Sequence, residues 1–414
     1  MRVLFLTPMP PSPRGMSATP VLLHALLRAL RARHEVTLVT VAGPNPQDVE
    51  AARALKDSGL DIHAVPRSEA TRAERGARWV RHTARWAFGR TPARTIWFHR
   101  REVQQAIDRL AADRTFDVVH VEDNAMGAYR LPAGVPSLFT EHEVRAPRDV
   151  RWTEWLRVQD GPYRGLLDEI DWHRWERYQR TVWRRFDLVQ ALTDRDARTM
   201  RQLVPELASR VRVNPFAVEI PPAADPALEE DDRIVFTGGF LHAPNVDAAR
   251  WLAGEIMPRL RTLCPGVRLR LVGSDPRGAL ANLAAPDVDV VGWVPSLQPE
   301  LARASVVLAP LRVGGGQRMK VLEALAAGKA VVTTARGAEG LLVSGGEHAP
   351  LSLAESADEI AAATAALLRN RALRRSLGAS ARELIIARHG IDAYGARTES
   401  AYAAIVRGTT RPSA

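Results

Sequence analysis

The chain of 414 residues has little cysteine and little lysine: one cysteine, Cys264, and three lysines, Lys56, Lys320 and Lys329. A single cysteine excludes an internal disulfide framework and any multi-cysteine metal centre. Long apolar runs are missing as well, since none reaches the ~18–20 residues that span a bilayer. The N-terminal MRVLFLTPMPPSP carries one Arg, a short apolar run and no A-x-A pattern, so it reads as a first strand rather than a secretory leader. A cytoplasmic location is the expectation. The net charge is +10, from 57 basic and 47 acidic residues, and nearly all the basic ones are arginine. In a chain this rich in Arg and Ala, part of the basicity reflects coding bias. No motif that reads bases accompanies it, so nucleic acid is not an expected partner. Anionic substrates or anionic lipid headgroups fit the charge better.

What is present is alternation of strand and helix, in two halves. The length favours two domains. In the first half, RVLFLT (2–7) is a buried-strand run, and a Pro-rich loop through Gly15 follows. A helix is predicted from Ala18 to Arg33, then the strand HEVTLVTV (34–41). Further strands are expected at 61–65, 116–122, 136–142 and 186–193. Residues 219–232, within EIPPAADPALEEDDR, are Pro- and acid-rich without periodicity and are assigned as a linker. The second half restarts with RIVFTGGF (233–240). A helix follows with Asn245 as candidate N-cap, then strands at 267–273, 287–294 and 305–310. The expected organisation is an N-terminal domain 1–218, a linker 219–232, a C-terminal domain 233–388, a last helix 389–407 returning to the first domain, and a disordered tail 408–414. The fold class is α/β, with two Rossmann-like domains facing across a cleft.

The most informative stretch is PLRVGGGQRMKVLEALAAGKAVVTT, Pro310 to Thr334. A strand ends, three glycines follow (Gly314, Gly315 and Gly316), and a helix is predicted from Gln317 to Ala327. A glycine-fed helix N-terminus offers N–H groups and partial positive charge to an anion. Arg318 and Lys320 add two cations in the first turn, and Glu323 shares a helix face with Lys320. Donors for a diphosphate with a carboxylate one turn deeper suit a nucleotide. A surface ion pair between Lys320 and Glu323 is the plainer alternative, but it leaves the glycine triplet unexplained.

Two stretches interrupt the first half. Residues 67–101 hold ten Arg against two Glu, with Trp79, Trp86, Phe88, Trp97 and Phe98. Residues 145–185 hold Trp152, Trp155, Trp172, Trp175 and Trp183. Arg with Trp marks a membrane-interface helix, a groove for a long acceptor, or amphipathic helices whose aromatics face a core. Peripheral association with an anionic membrane surface at the inner face is expected of 67–101. Asp287-Val288-Asp289 alternates with apolar residues as a strand does, so no metal is assigned to it.

The chain resembles the GT-B glycosyltransferases, specifically the family-4, retaining, group 1 type, over nearly its whole length. IVFTGGFLHAPNVDA, LRLVGSDP, VDVVGWVPSL, SVVLAPLRVGGGQRMKVLEALAAGKAVVTT and GAEGL carry the resemblance in the second half. RVLFLTPMPPSPRGMS, HEVTLVT, FDVVHVED and LFTEHE carry it in the first. The resemblance implies a nucleotide-diphosphate sugar donor, UDP- or GDP-linked, and no cofactor. Gly238 and Gly239 would line the cleft, backbone near Val294 would hold the base, Gly314–Gly316 with Arg318 and Lys320 the diphosphate, and Glu323 the ribose. His142 would meet the transferred sugar, and the loop of Gly15 would close over donor or acceptor. The acceptor would be a glycan, a lipid-linked saccharide or a small molecule. Two positions depart from the family pattern. A Glu that many relatives carry with seven residues between it and the ribose Glu is Gly315 here, so its role is vacant or falls to backbone amides or Glu339. The Arg and Lys that many carry after the first strand of the second domain are absent from GGFLHAPN, which leaves the phosphates to Arg318 and Lys320. His120 reads as structural or as a support behind the site, and the strand-end position of Glu122 and Asp123 leaves an acceptor contact open. Two alternatives stay open: a non-catalytic nucleotide-sugar scaffold, and a sugar-nucleotide epimerase.

Overall fold

Parallel strands feeding helices account for both halves of the chain. The computed structural model describes residues 1–13, 18–43, 45–67, 72–145, 162–275, 277–314, 318–341 and 350–409. Gly15, Gly315, Gly316, Trp152 and Trp155 lie outside the described residues. The chain forms two units: Met1–Pro215 with Tyr394–Ala414, and Phe216–Ala393.

The first unit contains β1 (Arg2–Thr7), β2 (Glu35–Ala42), β3 (Asp61–Pro66), β4 (Val118–Glu122), β5 (Ser137–Glu141), β6 (Leu188–Ala191) and β7 (Val211–Val213). They form one sheet in the order β3-β2-β1-β4-β5-β6-β7, and each pairing is parallel. A parallel sheet is covered on both faces, which is why Val3 to Leu6 form an apolar run and are fully buried. The strand order reverses between β1 and β4, and loops after the C-terminal ends of such strands form the binding crevice. The helix expected to reach Arg33 ends at Arg31, because His34 N–H turns back to Leu30 O and leads into β2. Helices at Pro46–Asp57 and Arg101–Asp113 complete the crossovers.

The last helix, Ile391–Thr409, supplies part of this unit's core. Tyr394 and Tyr402 are fully buried. Asn214, just after β7, donates from Nδ2 to Thr398 Oγ1 and accepts at Oδ1 from Arg397 Nε. Tyr402 Oη lies 2.7 Å from Nδ1 of the buried His120.

The second unit repeats the pattern with β8 (Arg233–Thr237), β9 (Arg268–Val272), β10 (Val288–Gly292), β11 (Val306–Ala309), β12 (Ala330–Thr333) and β13 (Ser352–Leu353). Their order is β10-β9-β8-β11-β12-β13, with the reversal between β8 and β11. The helix after β8 begins at Ala243 and not at Asn245. His242 occupies the N-cap, so Asn245 is freed for a different task. This helix runs through a π-helical turn, Leu252–Ile256, into Met257–Leu263.

The boundary between the units lies at Pro215/Phe216, ahead of the 219–232 stretch where the sequence places it. Backbone contacts explain the difference. Val218 N–H donates to His389 O, and His389 Nδ1 donates to Phe216 O, which fastens 216–218 to the second unit. The acid-rich run is also docked rather than loose. Glu229 receives Arg374 Nη2 at 2.7 Å and Lys329 Nζ at 3.3 Å, and all three side chains are buried. Asp231 takes Arg371 and Arg374, and Asp232 takes Arg268. Removing one member of a buried ion pair strands the other charge and costs about 3–5 kcal/mol. Arg374→Met leaves Glu229 with Lys329 alone and is expected to lower the unfolding free energy of the second unit by up to about 3–5 kcal/mol, read by urea denaturation.

Candidate active site

In the second unit the switch point brings the glycine-rich turns together. β8 ends at Thr237, and Gly238 N–H donates to Val272 O. The two backbones approach so closely here that a Cβ on Gly273, at φ +145°, would lie 1.8 Å from Gly238 O. A Cβ on Gly238 would lie 2.8 Å from Asn245 Nδ2. This missing side chain lets Asn245 lean over the strand end, where Nδ2 donates to Gly239 O at 2.8 Å. Asn245 Oδ1 then accepts from Lys320 Nζ.

Lys320 comes from the other side of the switch point. β11 ends at Ala309, and the chain turns through Gly314 at φ +97°. The helix starts at Met319, later than the predicted Gln317, with Arg318 as its N-cap residue. Arg318 thus stands at the entrance rather than in the first turn. Its guanidinium nitrogens would lie 3.4 and 3.5 Å from a Gly314 Cβ, ordinary contact, so it is the left-handed φ of +97° that calls for glycine here. Lys320 sits on the second helical residue, with Nζ 5.1 Å above the Phe236 ring. Rather than pairing with Glu323, it bonds to Asn245.

Both charges on this helix face are held at a cost. Burial, followed by the charge of Arg318, pulls Lys320 down to about 7 against the opposing pull of Glu323. Burial raises Glu323 to about 7, with Lys320 opposing. Two cations converging with one carboxylate, in a setting that penalises charge, favour an anionic ligand that restores the balance.

The other predicted donor-site residues are spread over the same sheet. Val294 follows β10, half-buried, just past the turn at Gly292 with φ +81°. Glu339 lies on the turn after β12, 8% exposed, with Arg336 Nη1 3.9 Å away. Asp287 and Asp289 are ion-paired with Arg261 and Arg270.

In the first unit, His142 follows β5. Parallel pairing sets Glu122, the last residue of β4, opposite Thr140, and this register places Glu122 beside His142. His142 Nε2 lies 2.6 Å from Glu122 Oε2, and His120 Nε2 lies 3.1 Å from Oε1. Glu122 is fully buried, which alone would raise its pKa, yet His120 and then His142 hold it down at about 2. Burial works against a charged His142, but the hydrogen bond and charge of Glu122 outweigh it and raise the imidazole above its ordinary value. Glu122 is thus the partner of His142 and not an acceptor contact. Periodicity carries no sign of this; only the strand register does. Asp123 is the one described non-glycine residue with positive φ, +73°. It holds that turn by accepting Ala125 N–H and pairs with Arg94 Nη2 at 2.7 Å. Glu141 accepts from Asn124, Gln179 and Trp183. Burial still raises it to about 7, against the donors Trp183 and Asn124.

Two family models match the chain: the glycosyl transferase 4-like domain over 19–217 and glycosyl transferases group 1 over 231–370. Comparison with curated protein sequences finds no match. Among solved structures, sucrose-phosphate synthase from Thermosynechococcus elongatus is similar at 17% identity and TM-score 0.67, over 98% of this chain and 99% of that one. HepE from Anabaena, in complex with UDP and glucose, is similar at 13% identity and TM-score 0.66, over 98% and 100%. TarM is similar at 10% identity and TM-score 0.67, over 97% and 98%. At these identities the structures show the fold, and the family models show the family. With both of its Rossmann-like domains matched, the chain belongs to the group 1 glycosyltransferases of GT-B fold, enzymes of sugar transfer.

Proposed function

We propose that this enzyme moves a sugar from a nucleotide-diphosphate donor to an acceptor hydroxyl with retained configuration and without a metal ion, in the biosynthesis of a polysaccharide, glycolipid or glycoconjugate. The observation that carries the proposal is the convergence of Arg318 and Lys320 at the Gly314 turn, beside the Gly238–Gly239 strand end. The presence of UDP with HepE, a protein of the same fold, supports a nucleotide donor.

Mechanistically, the leaving diphosphate gains negative charge as the glycosidic bond breaks. Lys320, Arg318 and the N–H groups of the helix Met319–Ala326 are placed to stabilise it, and fixed donors need no reorganisation at that moment. Glu323, one turn further along, is the acceptor for ribose hydroxyls. His142, oriented by Glu122, presents its other ring nitrogen, Nδ1, as the contact to the transferred sugar. The acceptor hydroxyl attacks from the face the diphosphate leaves, and no protein nucleophile takes part.

Lys320→Ala and Arg318→Ala are each expected to lose about 2–4 kcal/mol of transition-state stabilisation, roughly thirty- to a thousandfold in turnover. Donor consumption by variants with unchanged circular dichroism measures this, and wild-type rates would sink the assignment.

The depressed pKa of Lys320 also gives a pH dependence. A bound diphosphate favours the charged amine, so its pKa rises on binding, and above about 7 binding takes up a proton. Affinity for UDP or GDP, whichever binds, is therefore expected to fall as pH rises past 7, by up to ~tenfold per unit. Lys320→Arg keeps its charge and should give a flatter profile. Calorimetric titration across pH checks this, and a flat wild-type profile would remove Lys320 from the phosphate contacts.

Peripheral docking on an anionic lipid surface belongs to the same proposal. Among the described residues, no helix is long and apolar enough to cross a membrane. The helix Arg72–Phe88 does expose Val80 and Phe88, at 60% and 93%, together with Arg81 and Arg85. Such a face suits headgroups and the acyl boundary. Co-flotation with phosphatidylglycerol vesicles is expected, weakened by salt and by Arg81→Glu with Arg85→Glu; flotation indifferent to both would exclude it.

A further inference from the structure

The first unit contains a cavity that the donor chemistry does not use. It measures about 390 Å³ and is bounded by Trp79, Trp86, Trp97, Leu167, Asp168 and Asp171 among others. That size lies in the ~300–1,000 Å³ range of small-molecule sites. The walls come from the helices Arg72–Phe88, Ala93–Phe98 and Pro162–Trp183. Their geometry is set by hydrogen bonds. Asp171 Oδ1 accepts Trp86 Nε1 at 2.7 Å and Ala93 N–H at 2.8 Å, which anchors the Trp86 indole and the start of the short helix to the long one. His82 packs edge-on to Trp97, with ring centroids 4.6 Å apart. Asp168 and Asp171, three residues apart, share one face of their helix.

The polarity of the lining discriminates among ligands. Indole faces match the C–H face of a sugar ring, while carboxylates accept its hydroxyls. Asp171 Oδ1 already accepts from Trp86 and Ala93, and a carboxylate can accept further hydroxyls that an alkyl chain does not have. A cation meets a different obstacle. Arg174 already sits 4.6 Å from the Trp86 ring centroid and uses the attraction of that ring. Exposed Arg81, Arg85 and Arg90 make the surroundings positive.

The cavity is also tied to the His142 group. Ala93 and Trp97 line it, and Arg94 on the same helix holds Asp123 at 2.7 Å. Asp123 adjoins Glu122, the partner of His142.

From these features we infer that the cavity walled by Trp79, Trp97, Asp168 and Asp171 is a saccharide-binding site, and that it holds the acceptor glycan. The acceptor role rests on the sugar-transfer proposal; the binding of saccharide does not.

Methyl α- and β-D-glucopyranoside, maltose and cellobiose serve as probes in saturation-transfer NMR and calorimetry on the full chain. At least one is expected to bind, with affinity reduced tenfold or more by Trp97→Ala and by the near-isosteric Asp168→Asn, and largely restored in Trp97→Phe. Thermal melting confirms that the variants fold, and Asp168→Asn keeps the test decisive if Trp97→Ala does not. Absence of binding by all four saccharides overturns the inference, as does binding unchanged in both variants. Binding of tetramethylammonium or n-hexanol in place of the saccharides also overturns it. A parallel UDP and GDP titration separates this from the donor proposal. Saccharide binding without nucleotide binding sinks only the donor assignment, and nucleotide binding without saccharide binding sinks only the cavity.

Discussion

The switch point of the second unit depends on a steric constraint: two backbones and one side chain share a space that has no room for a Cβ. Gly273 presses against Gly238, Gly238 admits Asn245, and Asn245 holds Lys320. Each step exists because the one before it lacks atoms. The chemistry therefore sits on strand ends that cannot shift independently, and a cation on a flexible stem acquires a fixed address. Preorganisation of this kind is what an electrostatic mechanism needs, since donors that must first move lose much of their worth.

Charge is handled in two opposite ways in the molecule. Along 229–232 each acid has an arginine or lysine partner, and the result is mechanical attachment. Around Lys320 and Glu323 charge is buried without such pairing, and both groups are pushed toward neutrality. The first unit shows the same contrast at the ends of neighbouring strands. Glu122, between two histidines, is held at about 2, whereas Glu141, among neutral donors, is raised to about 7. Burial is alike for the two; the partners decide the outcome.

Much of the fold was legible because buried parallel strands write themselves as apolar runs and a glycine triplet before a helix is hard to explain otherwise. Gly314, Arg318 and Lys320 emerged in this way, whereas Gly238 and Gly239 were singled out by the resemblance to the GT-B glycosyltransferases. Asn245 was misread as a cap, since Asn is a good one. Pro244 carried the correct signal, because proline favours the first helical turn. Glu122 could not be matched to His142 without the register of β4 and β5. The acids of 219–232 resembled a solvated linker because their partners, Lys329 and Arg374, lie 100 and 145 residues away. Tryptophans divided by environment and not by spacing: Trp175 and Trp183 are core, while Trp79 stands 58% exposed.

The division of the chain carries a consequence for its biosynthesis. The second unit is one continuous segment, Phe216–Ala393, whereas the first needs residues from both ends. On the ribosome, the segment up to Pro215 emerges first but lacks Tyr402, the hydroxyl partner of its buried His120. It also lacks Thr398 and Arg397, which satisfy Asn214. Domains tend to fold as they emerge, so here the order is inverted. The earlier-made segment therefore waits for the helix Ile391–Thr409, with His120 and Asn214 lacking these partners until that helix has been made.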